Sequence, residues 1–103
     1  MFPQAVPDDL LFHGIYDWRF GNPQRALRSF RKSIATASKL GMKNEHAIAQ
    51  YWFGIFAQSP AGAPFVPEGA TPHLKAALRV FEQLKAAGLV HRIRIALETE
   101  RGG

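Results

Sequence analysis

The sequence predicts an all-α fold of about five helices, and two observations carry this prediction. Apolar residues recur at helical spacing in five separate segments, and no segment shows sustained alternation of apolar and polar residues. Gly and Pro residues stand between these segments, where helices end and begin. The chain has 103 residues, of which 47% are hydrophobic, so it fits one domain, residues 1–103, with a substantial core.

Residues with capping or helix-ending preferences mark the boundaries of these helices. Asp8 and Asn44 are suitable N-caps, and Pro23 and Pro72 fit the first turn of a helix. Glycines that can adopt a left-handed conformation end three of the helices: Gly21, Gly41 and Gly88. The predicted helices therefore span about residues 8–20, 23–40, 44–58, 72–87 and 89–100.

Three segments fall outside these helices. Pro3 and Pro7 predict an extended lead-in over residues 1–7. Residues 59–71 are rich in Pro and Gly, which predicts a long irregular loop between the third and fourth helices. Residues 101–103 are Arg-Gly-Gly and predict a frayed tail.

Two sets of three residues repeat at corresponding places along the chain. Each set has a glycine on one helix, and an alanine followed four positions later by a phenylalanine on the next helix. The small residues let two helices approach closely, and the phenylalanine then fills the gap to the neighbouring hairpin. The sets are Gly14, Ala26 and Phe30, and Gly54, Ala77 and Phe81.

This pattern resembles the tetratricopeptide repeat (TPR). The first set has the spacing of that repeat, whereas the Pro/Gly-rich loop lengthens the second. The interval from Gly14 to Gly54 exceeds the ~34 residues of the repeat, and Asp17 stands where the repeat usually has an aromatic residue. Longer units of this kind occur in bacterial signalling regulators. The resemblance implies two antiparallel TPR-like helical hairpins plus a closing helix; the alternative is a non-repeating helical bundle.

The same resemblance implies a function and a binding surface. In arrays of such hairpins the first helix of each unit lines the inner, ligand-binding face, so the chain is expected to be a protein- or peptide-binding adaptor or regulatory module. An apolar row edged by a cation suits an amphipathic helix or an extended peptide. The alternative is that the apolar members of the row are core. The residues at these positions are Leu11, Ile15, Trp18, Arg19, Tyr51, Ile55 and Gln58.

The positive charge of the chain gives an alternative function, nucleic-acid binding. The formal net charge is +5, and four cations lie along one face of the second helix: Arg25, Arg28, Lys32 and Lys39. Phosphate contact requires only such a face. Base readout favours Asn or Gln, of which this helix offers only Gln24. The simpler interpretation is that helix surfaces carry scattered Arg and Lys.

The third predicted helix is apolar on nearly all sides. Its large apolar residues are Ile48, Tyr51, Trp52, Phe53, Ile55 and Phe56. Such a helix is usually central to its domain or covered by a partner. Two neighbouring helices would leave part of it exposed, so we expect a homo-oligomer, most simply a symmetric dimer. Alternatively, Phe65 and Val66 fold the long loop over the patch.

Several classes of function are disfavoured by what the sequence lacks. It has no cysteine, which excludes disulfides, thiolate metal sites and cysteine nucleophiles and fits a cytoplasmic protein. Its four histidines are far apart, so we expect neither a metal nor a cofactor. No phosphate loop, nucleophile elbow or paired catalytic carboxylates occur, so we expect no enzyme. No signal peptide or membrane span is predicted.

Overall fold

The protein, in a computed structural model that describes residues 6–102, is an all-α domain. The five predicted helices are confirmed: α1 spans Val6–Arg19, α2 Pro23–Lys39, α3 Lys43–Gln58, α4 Thr71–Gln83 and α5 Ala87–Gly102. A single 3-10 turn, Ala63–Phe65, lies between α3 and α4. Within residues 6–102 there is no strand, and none of the helices combines the length and apolar character needed to cross a bilayer.

Some helix boundaries differ from the predicted ones. Because α1 begins at Val6, Asp8 lies in its first turn rather than at the N-cap, and residues 1–5 of the predicted lead-in fall outside the described residues. Met42, not Asn44, is the N-cap of α3. The loop between α3 and α4 ends one residue early, because Thr71 is already helical. At the other end α5 continues into the predicted tail.

Three helices end in the same hydrogen-bonded motif. The residue after the C-cap is left-handed, with φ of 81° at Gly21, 70° at Gly41 and 56° at Lys85. At the end of α4 the Ala86 N–H donates to the Phe81 carbonyl at 3.0 Å, and α1 and α2 make the equivalent bonds. This motif satisfies carbonyls that a helix end leaves unpaired. Of the three predicted glycine ends, those at Gly21 and Gly41 are confirmed.

The end of α4 is a correction to the sequence prediction. Gly88 is expected to stop the fourth helix, but α4 ends at Gln83 and Gly88 lies in the first turn of α5. Lys85 takes the left-handed conformation instead. This conformation is strained in residues other than glycine, because Cβ comes close to the following carbonyl oxygen. The turn begins there because Leu84, Lys85 and Ala86 donate to carbonyls of the last turn of α4.

The helices form a layered array in which α3 is central. Each helix packs against the next one along the chain, and α3 also contacts α1 and α5. Short turns connect α1 to α2, α2 to α3 and α4 to α5, and such turns make successive helices antiparallel neighbours. As a result α3 has helices on several sides, whereas α1 lies at one end of the array.

Both repeated residue sets lie where helices approach each other closely. A Cβ at Gly14 would lie 3.0 Å from the Phe30 ring, and one at Gly54 would lie 2.6 Å from Leu74. Ala26 and Ala77 are fully buried. The Phe30 ring reaches α3, where its centroid is 5.2 Å from that of Phe56 and 5.9 Å from that of Phe53. The small residues therefore permit the approach that the sequence predicts, and Phe30 fills the gap beyond.

The elements that pack around α3 contradict the prediction of an exposed aromatic patch on this helix. Phe53 and Phe56 are fully buried, and Tyr51, Trp52 and Ile55 are half-buried against the core. Of the six apolar residues named above, Ile48 alone is exposed, at 36%. The prediction considers only two neighbouring helices, whereas α1, α2, α4, α5 and the 3-10 turn all contact α3. The loop contributes Val66, which is buried, and Ala70. The apolar character of α3 therefore gives no support to a dimer.

A polar network joins the long loop to three helices. Arg31 Nη2–H on α2 donates to Glu68 Oε1 at 3.2 Å, and Arg31 Nη1 lies 3.1 Å from Glu68 Oε2, within ion-pair distance. His73 Nε2–H on α4 donates to Glu68 Oε2 at 2.9 Å, and its Nδ1 lies 2.6 Å from the side-chain oxygen of Gln50 on α3. The Arg31 guanidinium also stacks 5.0 Å above the Phe53 ring. Glu68 therefore fixes the Pro/Gly-rich segment against the helical array.

This network makes stability depend on pH in a defined window. The hydrogen bond from Arg31, and to a smaller extent the contact with His73, lowers the pKa of Glu68 from 4.5 to about 2. A carboxyl group with a lowered folded-state pKa stabilises the fold fully above its unfolded pKa, so the contribution declines below pH 4.5 and is lost near pH 2. Since the pair is partly exposed to solvent, we expect a contribution of only about 1 kcal/mol.

Glu68→Gln should therefore unfold at lower urea concentration than the native chain at neutral pH, and the difference should vanish near pH 2. Urea unfolding at successive pH values measures both. Glu98→Gln, which changes an exposed carboxylate on α5, is the control. If both variants show the same pH dependence as the native chain, the network does not stabilise the fold.

Candidate functional site

The predicted inner face is assembled from α1 and α3, which are in contact. Leu11 is only 6% exposed and belongs to the core. The Trp18 ring packs edge-on against Phe56, at a centroid distance of 5.5 Å. The Gln58 side-chain amide donates to the Ala96 carbonyl of α5 at 2.7 Å, so this amide ties two helices together.

The predicted inner face leaves only a small exposed area that a partner could contact. Arg19 is exposed, while Ile15, Tyr51 and Ile55 are half-buried. The Tyr51 ring also packs against Trp52, with centroids 5.5 Å apart. The structure thus brings the predicted residues of the two helices onto neighbouring elements, but much of their apolar surface is already used in packing. The inner face stays a prediction with a small exposed area.

The predicted basic face of α2 is open to solvent. Arg25, Arg28, Lys32 and Lys39 are all exposed. Three of them line a depression of about 630 Å³ between α1 and α2, whereas Lys39 lies beyond it at the end of α2. We call this depression the basic groove. Its lining residues are Leu10, His13 and Asp17 from α1, and Arg25, Leu27, Arg28, Ser29, Arg31, Lys32 and Ala35 from α2.

The cations of the basic groove differ in how far they are already paired. Arg25 Nε lies 3.9 Å from Asp17 Oδ2, a carboxylate at the wall of the groove. Arg31 is held by Glu68. Among the described side chains, no carboxylate lies within ion-pair distance of Arg28 or Lys32. These two cations are therefore the ones most available to a negatively charged ligand.

The groove combines these cations with apolar surface. Leu10, Leu27 and Ala35 contribute to its lining. Leu27 is partly buried against the core, which fixes its position. A ligand that contacts both the leucines and the cations must itself be amphipathic, with acidic and apolar groups on adjacent faces.

An exposed aromatic row, which the sequence did not predict, runs along α1 to Phe20, the residue that follows the helix. Phe12 is 67%, Tyr16 60% and Phe20 67% exposed, and the Tyr16 and Phe20 ring centroids are 4.5 Å apart. These residues recur at intervals of four, which places them on one side of the helix. Their spacing is visible in the sequence, but the same spacing is typical of a buried stripe. Only the packing shows that this row faces solvent.

The histidines occupy four separate environments. His13 lines the basic groove, His73 belongs to the Glu68 network, and His91 is exposed on α5. His46 is half-buried near the start of α3, and this burial lowers its pKa. Within residues 6–102 no group of three His, Asp or Glu side chains is arranged to hold a metal ion.

The chain was compared with protein families, curated proteins and solved structures. The chain matches no family profile, no curated protein and no solved structure. Its function must therefore be argued from its own surfaces, of which the basic groove has the most distinctive chemistry.

Proposed function

We propose that the protein is a non-enzymatic adaptor or regulatory module that binds an acidic, amphipathic segment of another protein in the basic groove. The observation that supports this most is that Arg25, Arg28 and Lys32 share one depression with Leu10 and Leu27. The order of helix contacts, each helix with the next and α3 with α1 and α5, also suits the TPR-like hairpins that the sequence resembles. The absence of cysteine is consistent with a cytoplasmic location.

The spacing of the three cations defines the ligand more closely. They occupy positions i, i+3 and i+7 of α2, so they span about 10 Å along the helix axis. A partner helix with acidic residues at the same intervals would place one carboxylate near each cation. Apolar residues beside those acidic ones would then lie over the leucines. Binding of this kind gains selectivity from charge and affinity from apolar contact.

The alternative is nucleic-acid binding through the same cations. Phosphates would contact Arg28 and Lys32 without further requirements. However, the apolar lining has no role in phosphate contact, and base readout favours amide side chains. The residues that line the groove include no amide side chain. The groove therefore suits a protein segment better than a nucleic acid.

Two probes distinguish these functions. One is a labelled helical peptide with Glu at positions i, i+3 and i+7 and Leu beside them, and the other is a labelled DNA duplex. Fluorescence anisotropy measures the binding of each at several salt concentrations. The Arg25→Glu, Arg28→Glu, Lys32→Glu triple variant changes the groove. Lys75→Glu, Arg79→Glu, Arg92→Glu changes three exposed cations elsewhere and gives the same net charge.

We expect the groove variant to weaken peptide binding by about thirtyfold or more, and the control variant to change it little. Duplex binding by the native chain that is tighter than peptide binding, and that falls steeply with salt, would favour the alternative function. Equal weakening of peptide binding by both triple variants would show that only net charge matters, which contradicts a defined groove.

A further inference from the structure

The solvent-facing side of α1 carries a self-complementary set of residues. Asp9, Phe12, Tyr16 and Arg19 are all exposed. At about 3.6 residues per turn they lie within an arc of roughly 80° on the helix surface. We call this surface the α1 ridge. It has an acidic residue at its N-terminal end, two aromatic residues in the middle and a basic residue at its C-terminal end.

We propose that two copies of the protein associate through antiparallel packing of their α1 ridges. A two-fold axis between Phe12 and Tyr16 places Phe12 of one copy opposite Tyr16 of the other. The same axis places Asp9 opposite Arg19, twice per dimer. Parallel packing would instead bring like charges together at each end. The charge order of the ridge therefore selects a second copy of this chain, in one orientation, as the occupant.

Two depressions beside the aromatic residues are compatible with this antiparallel packing. One depression, of about 560 Å³, is lined by Phe12, Ile15, Tyr16, Arg19 and Phe20. Another, of about 330 Å³, is lined by Asp9, Phe12, His13 and Tyr16. The two flank the Phe12 and Tyr16 rings, which project between them. In an antiparallel pair the rings of each copy enter the depressions of the other, as knobs enter holes between packed helices.

The size of the ridge sets the expected strength of the dimer. Phe12 and Tyr16 of the ridge, together with Phe20 in the lining of the larger depression beside it, are each about two-thirds exposed, so they offer on the order of 400 Å² of surface per copy. A stable interface typically buries about 800 Å² per partner. The rings supply about half of this area, and the rims of the depressions must supply the rest. We therefore expect a reversible dimer with a micromolar dissociation constant.

This association is independent of the proposed ligand. On α1 the basic groove uses Leu10, His13 and Asp17, of which His13 also lines the smaller depression beside the ridge. The cations of the groove lie on α2 and line neither depression, so a dimer through the ridge leaves them accessible in both copies. Because the dimer is measured without ligand, its absence would leave the proposed function untouched, and failure of peptide binding would leave the dimer untouched.

Sedimentation velocity of the native chain from ~5 to ~200 µM tests the dimer. We expect the dimer fraction to rise with concentration. Tyr16→Glu should weaken dimerisation by about thirtyfold or more. Ile95→Glu is the matched control, because it places the same charge at a 50% exposed apolar residue on α5. Circular dichroism verifies that both variants keep their helices. A native chain that stays monomeric, or a dimer that tolerates Tyr16→Glu, overturns the proposal.

Charge exchange tests the antiparallel orientation. Asp9→Arg and Arg19→Asp each create like-charge contacts at both ends of the pair and should weaken self-association by about tenfold. The double variant, Asp9→Arg with Arg19→Asp, should restore it. An equimolar mixture of the two single variants should form heterodimers, since all their facing pairs are then opposite in charge. If neither the double variant nor the mixture recovers the dimer, the antiparallel ridge is not the interface.

Discussion

Phe30→Ala is expected to lower the free energy of unfolding by about 3–5 kcal/mol, the largest effect of any single truncation we propose. The ring is fully buried and packs against Phe53 and Phe56. Its other face lies against Gly14, which has no side chain to move into the cavity. Since small domains are stable by only about 5–15 kcal/mol, the variant is expected to be close to unfolding at ambient temperature.

Urea unfolding followed by circular dichroism measures this loss. Phe12→Ala is the matched control, because it removes the same atoms from a position that is 67% exposed. It should change the unfolding free energy by no more than about 0.5 kcal/mol, provided that the protein concentration is low enough to keep the chain monomeric. Equal losses in the two variants would contradict the contact between the first hairpin and α3.

Gly62→Ala is expected to cost about 3 kcal/mol, although the change adds only one methyl group. A Cβ at this position would collide with the carbonyl oxygen of Phe56. That oxygen accepts hydrogen bonds from the Ser59 hydroxyl at 2.6 Å and from the Ser59 N–H at 3.0 Å. Moving it would disturb the end of α3, so the strain has no inexpensive relief. The φ of Gly62 is −92°, so steric contact, not backbone conformation, requires the glycine.

The control for this substitution is Gly88→Ala. Gly88 lies in the first turn of α5, and a Cβ there would have open space around it. Because alanine has the higher helix propensity, this change should leave stability unaltered or raise it by up to about 1 kcal/mol. Thermal unfolding of both variants measures the contrast. A Gly62→Ala protein as stable as the native chain would show that the loop does not pack against the end of α3 as described.

The sequence is sufficient to predict the number of helices and the contacts that small residues permit. Apolar periodicity is a local property and reports the apolar side of each helix directly. The repeated Gly, Ala and Phe sets predict close approach; Gly14 lies against the Phe30 ring, and Ala26 is fully buried. Local preferences also predict the left-handed helix ends at Gly21 and Gly41, because glycine reaches that conformation without strain.

The end of α4 shows where local preference is insufficient. Lys85 adopts the left-handed conformation three residues before the available glycine. The helix that follows this turn, α5, buries Ile93 and Ala96 in the core. The burial outweighs a strain of about 1 kcal/mol per residue, because a buried aliphatic side chain contributes more than that. The balance between backbone strain and core burial depends on tertiary packing, so a short segment of sequence cannot predict it.

The candidate surfaces were the least predictable from the sequence. The cations of α2 are found by their spacing alone, but only the packing of α1 beside them creates the basic groove. Two groups of aromatic residues differ in exposure. Those of α3 are covered because four helices contact α3, whereas Phe12, Tyr16 and Phe20 face solvent because α1 lies at the end of the array. The sequence by itself determined which helix faces are apolar. Only the tertiary structure decided which of them are covered, because cover depends on the number of neighbours that each helix acquires.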